Sequence, residues 1–153
     1  MKSARVFLLA AALICTVTAS TAQAATPAQG TLSKKVKVVK WSGTFTLSEP
    51  NPAGNCLGGS EDPACDYFYL KVDLPDGARI RIDLPAPSAT TDLDLYVHSP
   101  TGTEMGVSGN LPGQNEFIEF RHSGRFRNKP YEIRVLPYLV VPGTTYNATA
   151  KVK

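Results

Sequence analysis

The chain is predicted to be all-β, a sandwich of two packed antiparallel sheets. Three observations predict this. Apolar residues alternate with polar ones in short runs, the period-two pattern of half-buried strands. Twelve glycines and twelve prolines punctuate those runs at short intervals. No long stretch repeats apolar residues at helical spacing.

Taken in order, the first 24 residues read as a secretory signal peptide. Lys2 and Arg5 give a basic start, Val6 to Val17 is an apolar run of twelve, and Ala22-Gln23-Ala24 is an A-x-A cleavage site. The run is too short to span a bilayer, which needs about twenty apolar residues. Residues 25–33, rich in Ala, Thr, Gln and Gly, are expected to form a flexible lead-in, and residues 34–153 a single domain. The expected destination is extracellular, with no transmembrane segment after cleavage.

Within the domain, Val36, Val38 and Trp41 start the strand series, and Thr44 to Leu47 continues it past Gly43. Phe68, Leu70 and Val72 share one face of the next strand, leaving Tyr67 and Tyr69 on the other. Ala78, Ile80, Ile82 and Leu84 follow the Pro75-Asp76-Gly77 turn. Leu93, Leu95 and Val97 then alternate with Asp92, Asp94 and Tyr96 before a Ser99-Pro100-Thr101-Gly102 turn. Met105 and Val107, Ile118 and Phe120, then Tyr131, Ile133 and Val135 mark three further strands. Tyr146, Ala148, Ala150 and Val152 close the chain. Eight or nine short strands suit two face-to-face sheets. The apolar segment Leu136 to Pro142 reads as a connection, tucked onto the sandwich end or part of an interface.

Charge narrows the partners. The net charge is +3, and loss of Lys2 and Arg5 leaves 14 basic against 13 acidic residues. Nucleic-acid binding, which needs a dense basic face, is not expected. Lys34, Lys35, Lys37 and Lys40 read as protection of a strand edge. Cys15 leaves with the signal peptide, so Cys56 and Cys65 remain as an even pair in an exported chain, and a disulfide is expected between them. The ten-residue loop it closes would contribute roughly 2.5–3 kcal/mol in the chain-entropy model.

Catalytic patterns are sparse. Asp92 and Asp94 lie roughly 6–7 Å apart on one strand face, a separation compatible with paired-carboxylate chemistry. The structural alternative has Asp92 accepting hydrogen bonds at the strand start and Asp94 solvated or paired with Arg79, Arg81 or Arg134. His98 and His122 are the only histidines, and no G-x-S-x-G elbow, HExxH or phosphate loop occurs. No enzymatic activity is therefore expected. Calcium, which takes about six to eight oxygen ligands, is the one cofactor expected. Glu49, Asn51, Asn55, Glu61, Asp62 and Asp66 crowd the cysteine loop and the strand it enters. Tyr67, Tyr69 and Tyr138 are the candidate contacts for a macromolecular ligand.

Four segments together resemble the bacterial pre-peptidase C-terminal domain. They are Asp66 to Val72, Asp92 to Val97 with its Ser-Pro-Thr-Gly turn, Pro130 to Val135, and Thr145 to Ala150. Trp41 to Thr44 and the Cys56, Cys65 pair are similar to features of such exported domains. The resemblance implies a jelly-roll-like sandwich of about eight strands without catalysis of its own. With no peptidase before it, the chain is expected to be a free-standing copy. Calcium-binding relatives draw acidic ligands from the segment before the D-x-F-x-L strand, so Asp62 and Asp66 match best, with Glu61 and Glu49 beside them. The expected function is a secreted module that binds an extracellular protein or polysaccharide. The alternatives are a structural, envelope-associated protein and a small hydrolase with an unrecognised site.

Overall fold

The computed structural model describes residues 23–46 and 65–153. Among them nine strands form: β1 (Gln23–Ser33), β2 (Val38–Phe45), β3 (Asp66–Asp73), β4 (Arg79–Leu84), β5 (Asp92–His98), β6 (Glu104–Ser108), β7 (Glu116–Arg121), β8 (Pro130–Leu139) and β9 (Thr144–Val152). One 3-10 turn, Gly124–Phe126, precedes β8. Neighbours run β6-β5-β8-β3-β1-β2-β9-β4-β7. We refer to β6-β5-β8-β3-β1 as sheet A and β1-β2-β9-β4-β7 as sheet B. No helix among the described residues is long and apolar enough to cross a membrane.

The expected alternation produces the core. Phe68, Leu70 and Val72 of β3, Leu93, Leu95 and Val97 of β5, and Tyr131, Ile133 and Val135 of β8 are buried from sheet A. Ile80, Ile82 and Leu84 of β4, Ile118 and Phe120 of β7, and Tyr146, Ala148 and Ala150 of β9 meet them from sheet B. Trp41 of β2 stacks on Phe68 of β3, with ring centroids 4.0 Å apart and planes 3° from parallel. Cross-strand neighbours are matched in size: Trp41 lies opposite Ala148, and Gly43 opposite Tyr146. A side chain at Gly43 would overlap both the Tyr146 ring and the Asp66 carboxylate, so this close approach requires glycine.

Four expectations are corrected. Residues 25–33 are no flexible lead-in: they lie in β1, where Ala25 and Leu32 are buried and Gln29 to Ser33 pair with Tyr69 to Asp73. That pairing is parallel, so the sandwich is not wholly antiparallel. Val36 and Val38 are exposed, because the inward positions of β2 are Trp41, Gly43 and Phe45, one step out of phase. Leu136 to Leu139 is not a connection but the end of β8, pairing with Asp92 to Asp94 across an irregularity in register. The signal peptide lies outside the described residues as far as Met1 to Ala22, as do Cys56, Glu49, Glu61 and Asp62.

Candidate functional site

Asp66 opens β3 on the same face as Phe68, so its carboxylate points between the sheets and is 1% exposed. The Tyr146 hydroxyl, on the opposite sheet, donates to Asp66 Oδ2 at 2.8 Å. Oδ1 is buried and makes no hydrogen bond among the described residues. Burial drives the Asp66 carboxyl up to about 6, against the downward pull of the Tyr146 hydroxyl and the Tyr67 backbone N–H. The phenol of Tyr146 is raised by burial and then by Asp66, which keeps it a donor. Of the four acidic residues expected to hold calcium, Asp66 is the one described, and it faces inward with one oxygen unsatisfied. No group of three or more His, Cys, Asp or Glu side chains among the described residues is placed to hold a metal.

A second set of carboxylates lies where β5 meets the β6–β7 connection. Asp94 is pushed up to about 6 by burial and then by the charges of Asp92 and Glu116. Asp92 is raised by burial and then by Glu116. Sequence reasoning missed Glu116. It is 2% exposed and accepts hydrogen bonds from Ser108 Oγ, from the Asn110 backbone N–H at 2.9 Å and from Asn110 Nδ2 at 3.0 Å, pinning the connection. The only signal for it was its position directly before the alternating Phe117 to Phe120 segment. The expected pairing of Asp94 with Arg79, Arg81 or Arg134 does not form. Those guanidinium groups bind Glu119, Asp83 with Glu119, and Glu132 respectively.

The histidines hold structural positions. His122 Nδ1 sits 2.9 Å from the Tyr131 hydroxyl in the core, and burial lowers its pKa. His98 is buried and lowered by burial and then by Arg134. Neither ring is hydrogen-bonded to a serine or a carboxylate among the described residues. The Ser99 hydroxyl instead meets Thr101 Oγ1 at 2.9 Å and accepts from the Thr103 backbone N–H at 3.1 Å inside its own turn.

The three tyrosines part company. Tyr67 lies on the outer face of sheet A yet is buried in a small cluster with Cys65 and Leu136, against which Tyr69 and Tyr96 pack. Of the two roles open to this outward pair, contact with a ligand or packing, Tyr67 takes the packing role, and Tyr69 is half-buried. Tyr138 is 48% exposed, and Leu139 and Val141 beside it are exposed too. Leu139, Val140 and Val141 wall a groove of about 330 Å³ whose other lining includes Ser88, Thr90, Thr91, Thr144 and Thr145. An apolar wall facing a row of hydroxyls can seat an extended chain with alternating apolar and polar faces.

No protein-family model matches the chain, and no curated protein does. Solved structures similar to it include two from Bacillus species. One is the insecticidal delta-endotoxin Cry8Ea1 from Bacillus thuringiensis, at 17% identity and a TM-score of 0.41, over 80% of this chain and 25% of that one. The other is the pre-peptidase C-terminal domain of a collagenase from Bacillus anthracis, at 9% identity and a TM-score of 0.47, over 82% of this chain and 94% of that one.

Proposed function

We propose that this protein is an exported, non-catalytic β-sandwich module that binds an extracellular protein or polysaccharide through the Tyr138 rim and its groove. The observation that carries this reading is the exposure of Leu139 and Val141 along a hydroxyl-lined groove, with Tyr138 exposed on the strand position just before it. Apolar side chains on a rigid strand end have no packing reason to face water, and they suit a contact surface. Glu116 anchors the β6–β7 connection and both imidazoles are buried in the fold, which favours binding over turnover. A structural calcium at Asp66 belongs to the same proposal, with Glu49, Glu61 and Asp62 as further ligands. Its support is the buried, unsatisfied Oδ1, which a cation would complete. So does a Cys56–Cys65 bond, which would pin the acidic segment to the start of β3.

The test is retention of the processed protein on collagen, chitin, cellulose or peptidoglycan, with and without chelator. Wild type is expected to bind one of the four, and Tyr138→Ala to reduce retention without changing the melting temperature. Chelator treatment is expected to lower that temperature, and millimolar calcium to restore it. Equal retention of wild type and variant on every matrix would remove the rim from the proposal. A melting temperature indifferent to calcium would remove the metal.

A further inference from the structure

We infer that the outer face of sheet B is a binding surface for an acidic polysaccharide, separate from the Tyr138 groove and standing whether or not that groove binds anything. Six cations project from this face: Lys40 of β2, Arg79 and Arg81 of β4, Arg121 of β7, and Lys151 and Lys153 at the end of β9. Against them stand two carboxylates, Asp83 and Glu119. The face thus carries a surplus of four positive charges, more than the +3 of the whole chain. The overall balance hides this concentration.

The arrangement is one that folding alone does not favour. Arg79 lies directly opposite Arg121, and Arg81 directly opposite Lys151. Like charges facing across a ladder destabilise a sheet. The two carboxylates are shared between cations: Asp83 receives Arg81 at 2.5 Å and Lys151 at 2.7 Å. Glu119 receives Arg79 and Arg81 at 3.1 Å each and Lys153 at 3.6 Å. The carboxylates thereby fix the cations in place without neutralising them. Lys40 and Arg121 make no ion pair among the described residues, so two cations remain on either side of the network for an incoming anion.

Charge complementarity makes the partner a polyanion, and the rest of the face selects among polyanions. Ser42, Asn147 and Thr149 alternate with the cations in the adjoining rows, offering hydrogen bonds to neutral hydroxyl groups. Among the described residues this face carries one aromatic ring, the half-exposed Phe117 with the Arg81 guanidinium 4.1 Å from its centroid, and a single ring gives no row of platforms for stacking successive bases. Carboxylate or sulfate groups spaced along a hydroxyl-rich chain fit both features.

The experiment is affinity electrophoresis of the processed protein through gels holding polygalacturonate, heparin, dextran or double-stranded DNA. A Lys40→Gln/Arg121→Gln/Lys153→Gln variant is compared with a Lys34→Gln/Lys35→Gln/Lys129→Gln control, which loses the same charge elsewhere. Wild type is expected to be retarded by polygalacturonate or heparin and not by dextran, less so as salt rises. The face variant is expected to bind about tenfold more weakly, with the control unchanged. Equal loss in control and face variant would reduce the effect to net charge and overturn the proposal. So would the absence of retardation by both acidic polysaccharides, or stronger retardation by DNA. Melting curves showing both variants folded keep these outcomes interpretable.

Discussion

The two outer faces of the sandwich use the same residue types to opposite ends. On sheet A, Arg134 and Glu132 form an ion pair whose side chains are 8% and 19% exposed, beneath which Tyr67 and Leu136 are buried. On sheet B, Arg79 and Glu119 form a pair whose side chains are 57% and 32% exposed, over a face that opens to water. Sheet A's outer face therefore behaves as a second, minor core, while sheet B's behaves as a charged surface. The contrast shows that an outward position on a strand does not fix a residue's role, and that burial decides whether a charge is structural or available.

The largest test of this contrast is aromatic. Tyr67→Ala on sheet A is expected to cost about 3 kcal/mol in urea denaturation, because it empties a packed site. Phe117→Ala on sheet B, where the ring is half exposed, is expected to cost less than about 1 kcal/mol. Similar losses at both positions would break the comparison. Next come the arginines. Arg134→Gln strands the Glu132 carboxylate on a covered face and is expected to cost about 2–3 kcal/mol. Arg79→Gln is expected to leave the denaturation midpoint unchanged, since exposed pairs are screened and compete with water.

The last comparison is in pH, and its sign differs between the faces. Asp94 on sheet A has a folded-state pKa of about 6, above the ordinary 3.8, because burial and then Asp92 and Glu116 oppose its charge. Its contribution to stability is complete below pH 3.8 and is lost as pH rises through about 6. Asp83 on sheet B is lowered: burial opposes its charge, but Lys151 and Arg81 outweigh that. Its contribution is present above pH 3.8 and disappears as pH falls. Denaturation midpoints at pH 4 and pH 7 should then show Asp94→Asn gaining on wild type at pH 7, and Asp83→Asn losing there. Parallel pH profiles for the two variants would mean that the faces are electrostatically alike.

Much of the sandwich was legible because period-two alternation is a local property. Ile80, Ile82 and Leu84 announce an inward face on their own, as do Leu93, Leu95 and Val97. β1 was not legible: its buried residues Ala25 and Leu32 are seven positions apart, with no alternation between them, and the strand exists because β3 lies beside it. The phase of β2 was misread because Val36 and Val38 look more apolar than Gly43, whose inward position follows only from the size of its neighbour Tyr146. Asp66 could have been placed inward, two residues before Phe68. Its partner Tyr146 is 80 residues away, so the pair was invisible to any local pattern. The basic face was missed for a related reason, since its cations come from strands that adjoin only once the sheet forms.

The position of β1 imposes an order of events. Gln23 and Ala24 are laddered to Asp66 and Tyr67. That ladder is parallel and joins positions about forty residues apart, so β1 is seated only once the third strand is present. The amino-terminal strand is held by the middle of the chain, and the interior it covers closes late.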